Sequence, residues 1–511
     1  MGQIIIPGYK GGFTNDLFDS LKKQTFQKAQ DLDIFTNTVS LKPHLALVTD
    51  TTDKTLSTID LTSAILASDG RLYFKGFGTN GSTCTIWDAG LPGALGTATA
   101  LTAEATASGT GNLHDIVEFL SDLFYFESTT RIQAFDIGGA AVVTNAVNVS
   151  SQAPIFVHEG LKKMFYTVAA NQIGATITST ISNTALLTFG EDIKVVQMVQ
   201  YDRFVVVGIK TGGSKSSKLA IWDGSSTTIE SLVDIGDTGL QAIVNVNGSI
   251  YCLTASNSEG FGKENIIRIY RWRGGSNVKL LKELNLGSTV NNAATILPRA
   301  VAVHRNKLYF GIIGSASGVM AIDSGVWVYD DELDILTLER ILDQTTTMTI
   351  RGIDIIEGHP MVMWFNGTDF KLNHVVTSGN ISSRGIYQSN AFFLNNGKEG
   401  TIKRILLNHK PIPTSCGFTV KIKYFGHYPI GGSVLAEDSF TVLTTPQGSG
   451  SSTGKTQSTD NATYTIIEDP SQFKKARFVQ IQIEWDEVSG ITAPEVVFPI
   501  IIETVEGADR L

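Results

Sequence analysis

One pattern recurs seven times between residues 63 and 365: an apolar strand, a short polar turn, and a second apolar strand, usually aromatic. It begins with SAILASDGRLYF (63–74), then DIVEFLSDLFYF (115–126), PIFVHEGLKKMFYTV (154–168) and VVQMVQYDRFVVVG (195–208). AIVNVNGSIYCL (242–253), AVAVHRNKLYFG (300–311) and GIDIIEGHPMVMWF (352–365) complete the set. The middle residues of the second strands are Tyr73, Tyr125, Phe165, Val205, Tyr251, Tyr309 and Val362, at intervals of 52, 40, 40, 46, 58 and 53 residues. A four-stranded propeller blade takes roughly 40–50 residues, so these spacings fit blades with insertions in their hairpins.

A third strand with a shared ending follows in most units: CTIWDAG (84–90), IQAFDIGG (132–139), LAIWDG (219–224), RIYRWRGG (268–275) and GVWVYDDE (325–332). Each places an aromatic just before a polar turn. Fourth strands are readable in TTIESLVDIG, VKLLKELNLG and ILTLERILD. A single twisted four-stranded sheet leaves both faces wet, whereas radial stacking buries each face against a neighbour. The expectation is an all-β chain with a β-propeller of about seven blades over 61–379. Six and eight blades stay open, because PGALGTATALTAEATASGTGN (92–112) is too degenerate to assign.

The flanks read differently. Residues 1–60 are expected to form an N-terminal arm, with IIIP as a strand that pairs elsewhere. In NDLFDSLKKQTFQKAQDLD (15–33), Asn15 is a plausible N-cap, and Leu17, Phe18, Leu21 and Phe26 are spaced for a short helix. HLALVTDT (44–51) reads as a strand that closes the propeller. From 380 to 511, seven alternating runs predict a C-terminal β-sandwich, jelly-roll or immunoglobulin-like. In ARFVQIQIEWD, Val479, Ile481, Ile483 and Trp485 would share an inner face, with Gln480, Gln482 and Glu484 turned to water. Between two of these runs, TTPQGSGSSTGKTQSTDNAT (444–463) has almost no apolar content. Gly448, Ser449, Gly450, Gly454 and Lys455 in this loop are the candidate inter-subunit contact.

Charged residues make up 17% of the 511, against about 25% in typical globular proteins, while 50 glycines supply turns. A net charge of −9 argues against a surface built to neutralise phosphates, although a local basic channel is compatible with it. Cys84, Cys252 and Cys416 lie far apart in apolar runs, which suits small buried side chains and neither a metal site nor a disulfide framework. MGQIIIPGYKGG has an apolar patch of three residues and no basic lead-in, unlike a signal peptide, and no window resembles a membrane span.

Gly76–Gly81 matches GxGxxG but runs into another strand instead of a helix, so a hairpin tip is expected. SGSSTGKT (449–456) approaches a phosphate-binding loop, but Ser449 replaces its first glycine and no strand-to-helix context surrounds it. The eight histidines (His44, His114, His158, His304, His359, His374, His409 and His427) never fall in HxH or HExxH. Asp330, Asp331, Glu332 and Asp334 lack calcium-loop spacing and read as an acidic turn. Ser68-Asp69-Gly70-Arg71 is a single partial match to a sialidase box. Asp122, Asp202 and Asp354 are conceivable acid/base carboxylates that nothing distinguishes from turn residues. No catalytic, cofactor-binding or metal-binding residues are assigned, and no cofactor is expected.

GYKGGFTNDLFDSLKKQTFQKAQDLDIFTNTVSLKPHLALV is similar in style to the start of tailed-bacteriophage tail-nozzle and related tail proteins. IKRILLNHKPIPTSCGFTVKIKYFG, followed by KKARFVQIQIEWDEVSG, resembles the sandwich that ends many virion proteins. The resemblance covers layout and carries no catalytic residues. It implies a non-enzymatic tail or neck component in the virion, assembled in the host cytoplasm. Copies would form a ring (nozzle, hub or tail tip) around the DNA path, contact other tail or neck proteins, and touch DNA transiently in the channel. The alternative is a receptor- or carbohydrate-binding tail adhesin, for which Trp364 and Phe365 are the late-blade aromatics; a propeller glycosidase stands behind both.

Overall fold

In the computed structural model the described residues are 2–6, 8, 12–13, 25–30, 32–34, 39–41, 45–47, 59–78, 83–92, 102–108, 116–128, 131–137, 141–149, 154–212, 215–257, 265–285, 295–312, 325–340, 349–366, 368–375, 384–394, 400–411, 417–425, 440–443, 455–456, 464–467, 473, 475–486 and 495–506. Seven four-stranded sheets follow one another along the chain. Blade 1 comprises Ile59–Leu66, Leu72–Gly78, Thr83–Asp88 and Thr102–Ser108. The inner strands of blades 2 to 7 are Ile116–Phe119, Ile155–His158, Ile193–Tyr201, Leu240–Val246, Val301–His304 and Thr349–Ile356. Each inner strand touches the next, and the seventh returns to the first, so the ring is closed. The chain folds as a seven-bladed β-propeller, which settles the blade count. Part of 92–112 supplies the outer strand of blade 1.

The fourth strand of blade 7 comes from the other end of the propeller sequence. Leu45–Leu47 lies beside Phe370–Val375, as expected for the ring-closing strand. All seven middle residues of the second strands are buried, none more than 6% exposed. Hydrophobic cores form between consecutive blades. Phe165 of blade 3, for example, meets Trp222 of blade 4 edge-on at 5.3 Å.

Local chemistry explains both recurrent motifs. The turn joining the inner and second strands carries a left-handed residue in every blade: Gly70, Leu120, Lys162, Asp202, Asn247, Arg305 and Glu357. Such residues let a tight turn follow the twist of its strands. In the third-strand motif, the Asp after the aromatic caps the turn. Asp88 Oδ1 accepts from Gly90 N at 2.6 Å, Asp223 Oδ1 from Ser225 N and Ser226 N at 2.8 Å, and Asp330 Oδ1 from Glu332 N and Leu333 N at 3.0 Å. The acidic run at 330–334 is therefore a turn.

Two compact units emerge: residues 46–327 with 342–376, and residues 1–45 with 328–341 and 377–511. The second unit corrects the expected 1–60 arm. Gly2–Ile6 pairs antiparallel with Val496–Glu506, and Thr25–Gln30 with Arg384–Ser389, so N-terminal strands belong to the C-terminal sandwich. The expected helix does not extend over 25–33: Thr25–Gln30 and Leu32–Asp33 are strands, and Phe26 is fully buried beside Tyr387. Tertiary pairing overrides the local helical spacing there. Asn15, Leu17, Phe18 and Leu21 lie outside the described residues.

The sandwich core joins Ile402, Ile405, Ile500 and Ile502 of one sheet to Val420, Ile422, Ile481 and Trp485 of the other. One further expectation fails. Gln480, Gln482 and Glu484 are all buried, at 1%, 9% and 7% exposure. Phe478–Asp486 is an interior strand of its sheet, and its second face is satisfied by hydrogen bonds instead of water. Gln480 Nε2 donates to Ser389 O at 2.7 Å, and Lys421 Nζ to Glu484 Oε1 at 2.6 Å.

Candidate functional site

The best-defined constellation of polar groups lies where the inner strands of the propeller converge. A cavity of ≈ 360 Å³ opens there; its lining includes the apolar Val117, Phe156 and Met198 and the polar Glu118, Gln197 and Arg299. The polar members are tied into contacts between blades. Glu118 of blade 2 accepts from Ser68 N of blade 1 at 2.8 Å and from the Ser68 hydroxyl. Gln197 Oε1 of blade 4 accepts from Ile243 N of blade 5 at 3.0 Å. Arg299, just before blade 6, donates through Nη2 to Asp354 Oδ1 of blade 7 at 3.3 Å, and Asp354 Oδ2 accepts from Ala64 N of blade 1 at 2.9 Å.

A backbone device recurs at three of the junctions between blades. The inner strands of blades 1, 5 and 7 slip register between Leu61 and Ser63, Leu240 and Ala242, and Ile350 and Gly352. Each inner strand is the edge of its sheet, so alternate N–H groups already point toward the neighbouring blade, and the bulge shifts which residues those are. The donors are Ala64, Ile243 and Ile353, and their acceptors, Asp354 Oδ2, Gln197 Oε1 and Arg299 O, all come from the preceding blade. Gly352 is needed at its bulge because a Cβ there would sit 2.4 Å from the Thr62 carbonyl oxygen.

Asp60 and Arg351 form a second contact across the junction of blades 1 and 7, with Nε 3.5 Å from Oδ1. Burial pushes the Asp60 carboxyl from 3.8 up to about 6, and the Arg351 charge offsets only part of that. Because the folded pKa lies above the unfolded one, the stability this group confers is complete below pH 3.8 and is lost as pH rises through 6. An Asp60→Asn chain is expected to be more stable than the parent at pH 8, by up to about 3 kcal/mol. The gap should close by pH 4, and urea unfolding at the two pH values measures it. Equal gaps at both would contradict the buried-carboxylate account.

The other sequence candidates are dispersed. Asp122 lies on blade 2 opposite Asp136, where burial and then that neighbouring charge raise its pKa. Asp202 occupies the left-handed position of the blade 4 hairpin, and Asp354 joins three blades. They do not form a pair on one blade. His158 Nδ1 accepts from Leu161 N at 3.1 Å and its Nε2 meets Phe204 O at 3.2 Å, so it pins a turn. His409 bridges Lys410 O and Thr465 Oγ1. His44, His114 and His427 lie outside the described residues. Among the described residues, no three His, Cys, Asp or Glu gather as a metal site.

Cys84 and Cys252 are buried, and burial drives the Cys252 thiol upward, away from nucleophilic chemistry; Cys416 lies outside the described residues. Trp364 donates Nε1 to Asn373 Oδ1 at 2.6 Å from inside its strand, and Phe365 packs on Phe370. Gly448, Ser449, Gly450 and Gly454 lie outside the described residues, while Lys455–Thr456 pairs with Phe418–Thr419 as a short strand. The bulge-linked bonds between blades were missed at the sequence level; bulges are set by packing, and only the glycine of RGID hints at one.

No protein-family model matches the chain, and no curated protein matches it. Solved structures similar to it include the Dos1 propeller (13% identity, 68% of this chain, 93% of that one, TM-score 0.40). The WD40 domain of Neurospora crassa Pan2 matches at 7% identity (62% and 89%, TM-score 0.39), and BamB from Moraxella catarrhalis at 12% (61% and 82%, TM-score 0.35). No described helix is long and apolar enough to cross a membrane.

Proposed function

We propose that this chain is a non-enzymatic structural component of a tailed-phage tail or neck, copies of which form a ring around the DNA path. The observation that carries the non-enzymatic part is the use of axial carboxylates as fasteners. Asp354 and Glu118 are both spent on bonds between blades, which serve a rigid block better than proton transfer. The phage assignment and the ring rest on the resemblance of the two flanks. A rigid propeller with loops on two faces and an attached sandwich suits repeated side-by-side packing.

Electron-microscopy class averages of the purified chain test this reading, with cyclic particles as the expected result. A chain that stays monomeric at every concentration contradicts it. Binding on a glycan array would move the assignment to an adhesin, and sugar release from host polysaccharide would move it to a glycosidase. Loop 444–463 is placed at the subunit boundary in this proposal, and its deletion is expected to weaken assembly.

A further inference from the structure

Among the described residues, the sandwich sheet that contains the N-terminal strand ends in two edge strands without an outer neighbour. Its order is Gly2–Ile6, Val496–Glu506, Gly400–His409, Tyr464–Ile467, antiparallel at each step. Among the described residues no strand lies beyond either end; Lys475–Ala476 pairs only with Gly400–Thr401, clear of the Ile405–Asn408 stretch that faces Tyr464–Ile467. Sheet edges in monomers are normally blunted with lysine, proline or inward charges. Within the strands themselves, GQIII and YTII, none of these occurs; the proline and acidic residues follow only after them, at Pro7 and Glu468-Asp469-Pro470, and Lys475 lies further along the second edge.

Register makes the two edges complementary. Ile5 faces Ile501, Ile501 faces Leu406, and Leu406 faces Ile466, so one apolar row crosses all four strands. The row lies on the face away from the core, because Ile6, Ile502, Ile405 and Ile467 are buried while Ile5 is 47% and Ile466 38% exposed. An even number of antiparallel strands also makes the two end strands run in opposite directions. The Tyr464–Ile467 edge of one copy laid beside Gly2–Ile6 of another therefore continues the antiparallel ladder and extends the row from Ile466 to Ile5.

We propose that copies of this chain join head to tail by strand addition between these two edges. The partner is a second copy, since each edge supplies the uncharged strand, the direction and the aligned isoleucine that the other lacks. A head-to-tail contact of this kind generates rings when its rotation closes. The inference rests on the ring reading above and specifies its interface.

Native mass spectrometry of Ile5→Asp and Ile466→Asp chains tests it. Both positions are exposed, so circular dichroism should match the parent, and Ile5→Thr and Ile466→Thr should still assemble. Each Asp variant alone is expected to raise the concentration for half-assembly by about tenfold or more. Mixed, the two should form a one-to-one pair and stop, because a single intact edge pair remains. A parent that assembles alongside Asp variants that assemble equally well overturns the edge pairing and leaves the ring. Self-dimers of Ile466→Asp would replace it with a two-fold Gly2–Ile6 contact. A parent that never assembles overturns both proposals.

Discussion

An Asp354→Ala chain is expected to lose about 3 kcal/mol of propeller stability, the loss found when one member of a buried ion pair is removed. Asp354 and Arg299 are 18% and 15% exposed, so the guanidinium left behind keeps little water in compensation. The same change strips the acceptor from Ala64 N, which points out of the edge of its own sheet. Three blades meet at this carboxylate, so the damage should appear as earlier exchange of the amides of Ile59–Leu66 and Thr349–Ile356. Asp354→Asn also removes the charge but retains an oxygen for Ala64 N, and is expected to cost about 1 kcal/mol less. Urea midpoints for the two variants decide the matter; equal losses would show that the charge facing Arg299 carries the whole effect and that the bond to Ala64 N contributes nothing.

Trp222→Ala is expected to have an effect of comparable size, about 3–5 kcal/mol. The side chain is fully buried, meets Phe165 of the neighbouring blade edge-on at 5.3 Å, and donates Nε1 to Ser226 O at 2.8 Å. Truncation opens a cavity between blades 3 and 4 and leaves the Ser226 carbonyl without that donor. Trp222→Phe keeps the ring contact and loses the donor, so it should cost about 1–2 kcal/mol. Near-ultraviolet circular dichroism with urea unfolding measures both. A Trp222→Ala chain within 1 kcal/mol of the parent, roughly the scale of an ordinary surface substitution, would mean that the third-strand aromatic does not bind blades together.

These two residues differ in how legible they were. Trp222 belongs to a third-strand ending that recurs through the chain, and an aromatic repeated at blade spacing announces its packing role. Asp354 is visible only as one acidic residue in GIDIIEG. Its partners are 55 and 290 residues away in sequence, and a bulge in another blade decides which donor it meets. Asp202 illustrates the reverse case, a carboxylate that local turn geometry explains completely.

The flanks follow the same division. Gln480, Gln482 and Glu484 alternate with apolar neighbours as a half-exposed strand would, yet hydrogen bonds to Ser389, Glu484 and Lys421 let them stay buried. Phe26 sat at helical spacing and became a strand residue because Arg384–Ser389 offered it a ladder.

The amino-acid order by itself determined the unit of construction: hairpins of period-two strands at blade spacing, with turn residues and aromatics in set places, all interactions within a few tens of residues. Tertiary structure alone decided the blade number, the return of the N-terminal strands to the sandwich, and the bulge-borne bonds around the axis. Those contacts join different blades or opposite ends of the chain, from 46 to 290 residues apart for the bonds around the axis, and their free energy exists only once the ring and the sandwich have closed.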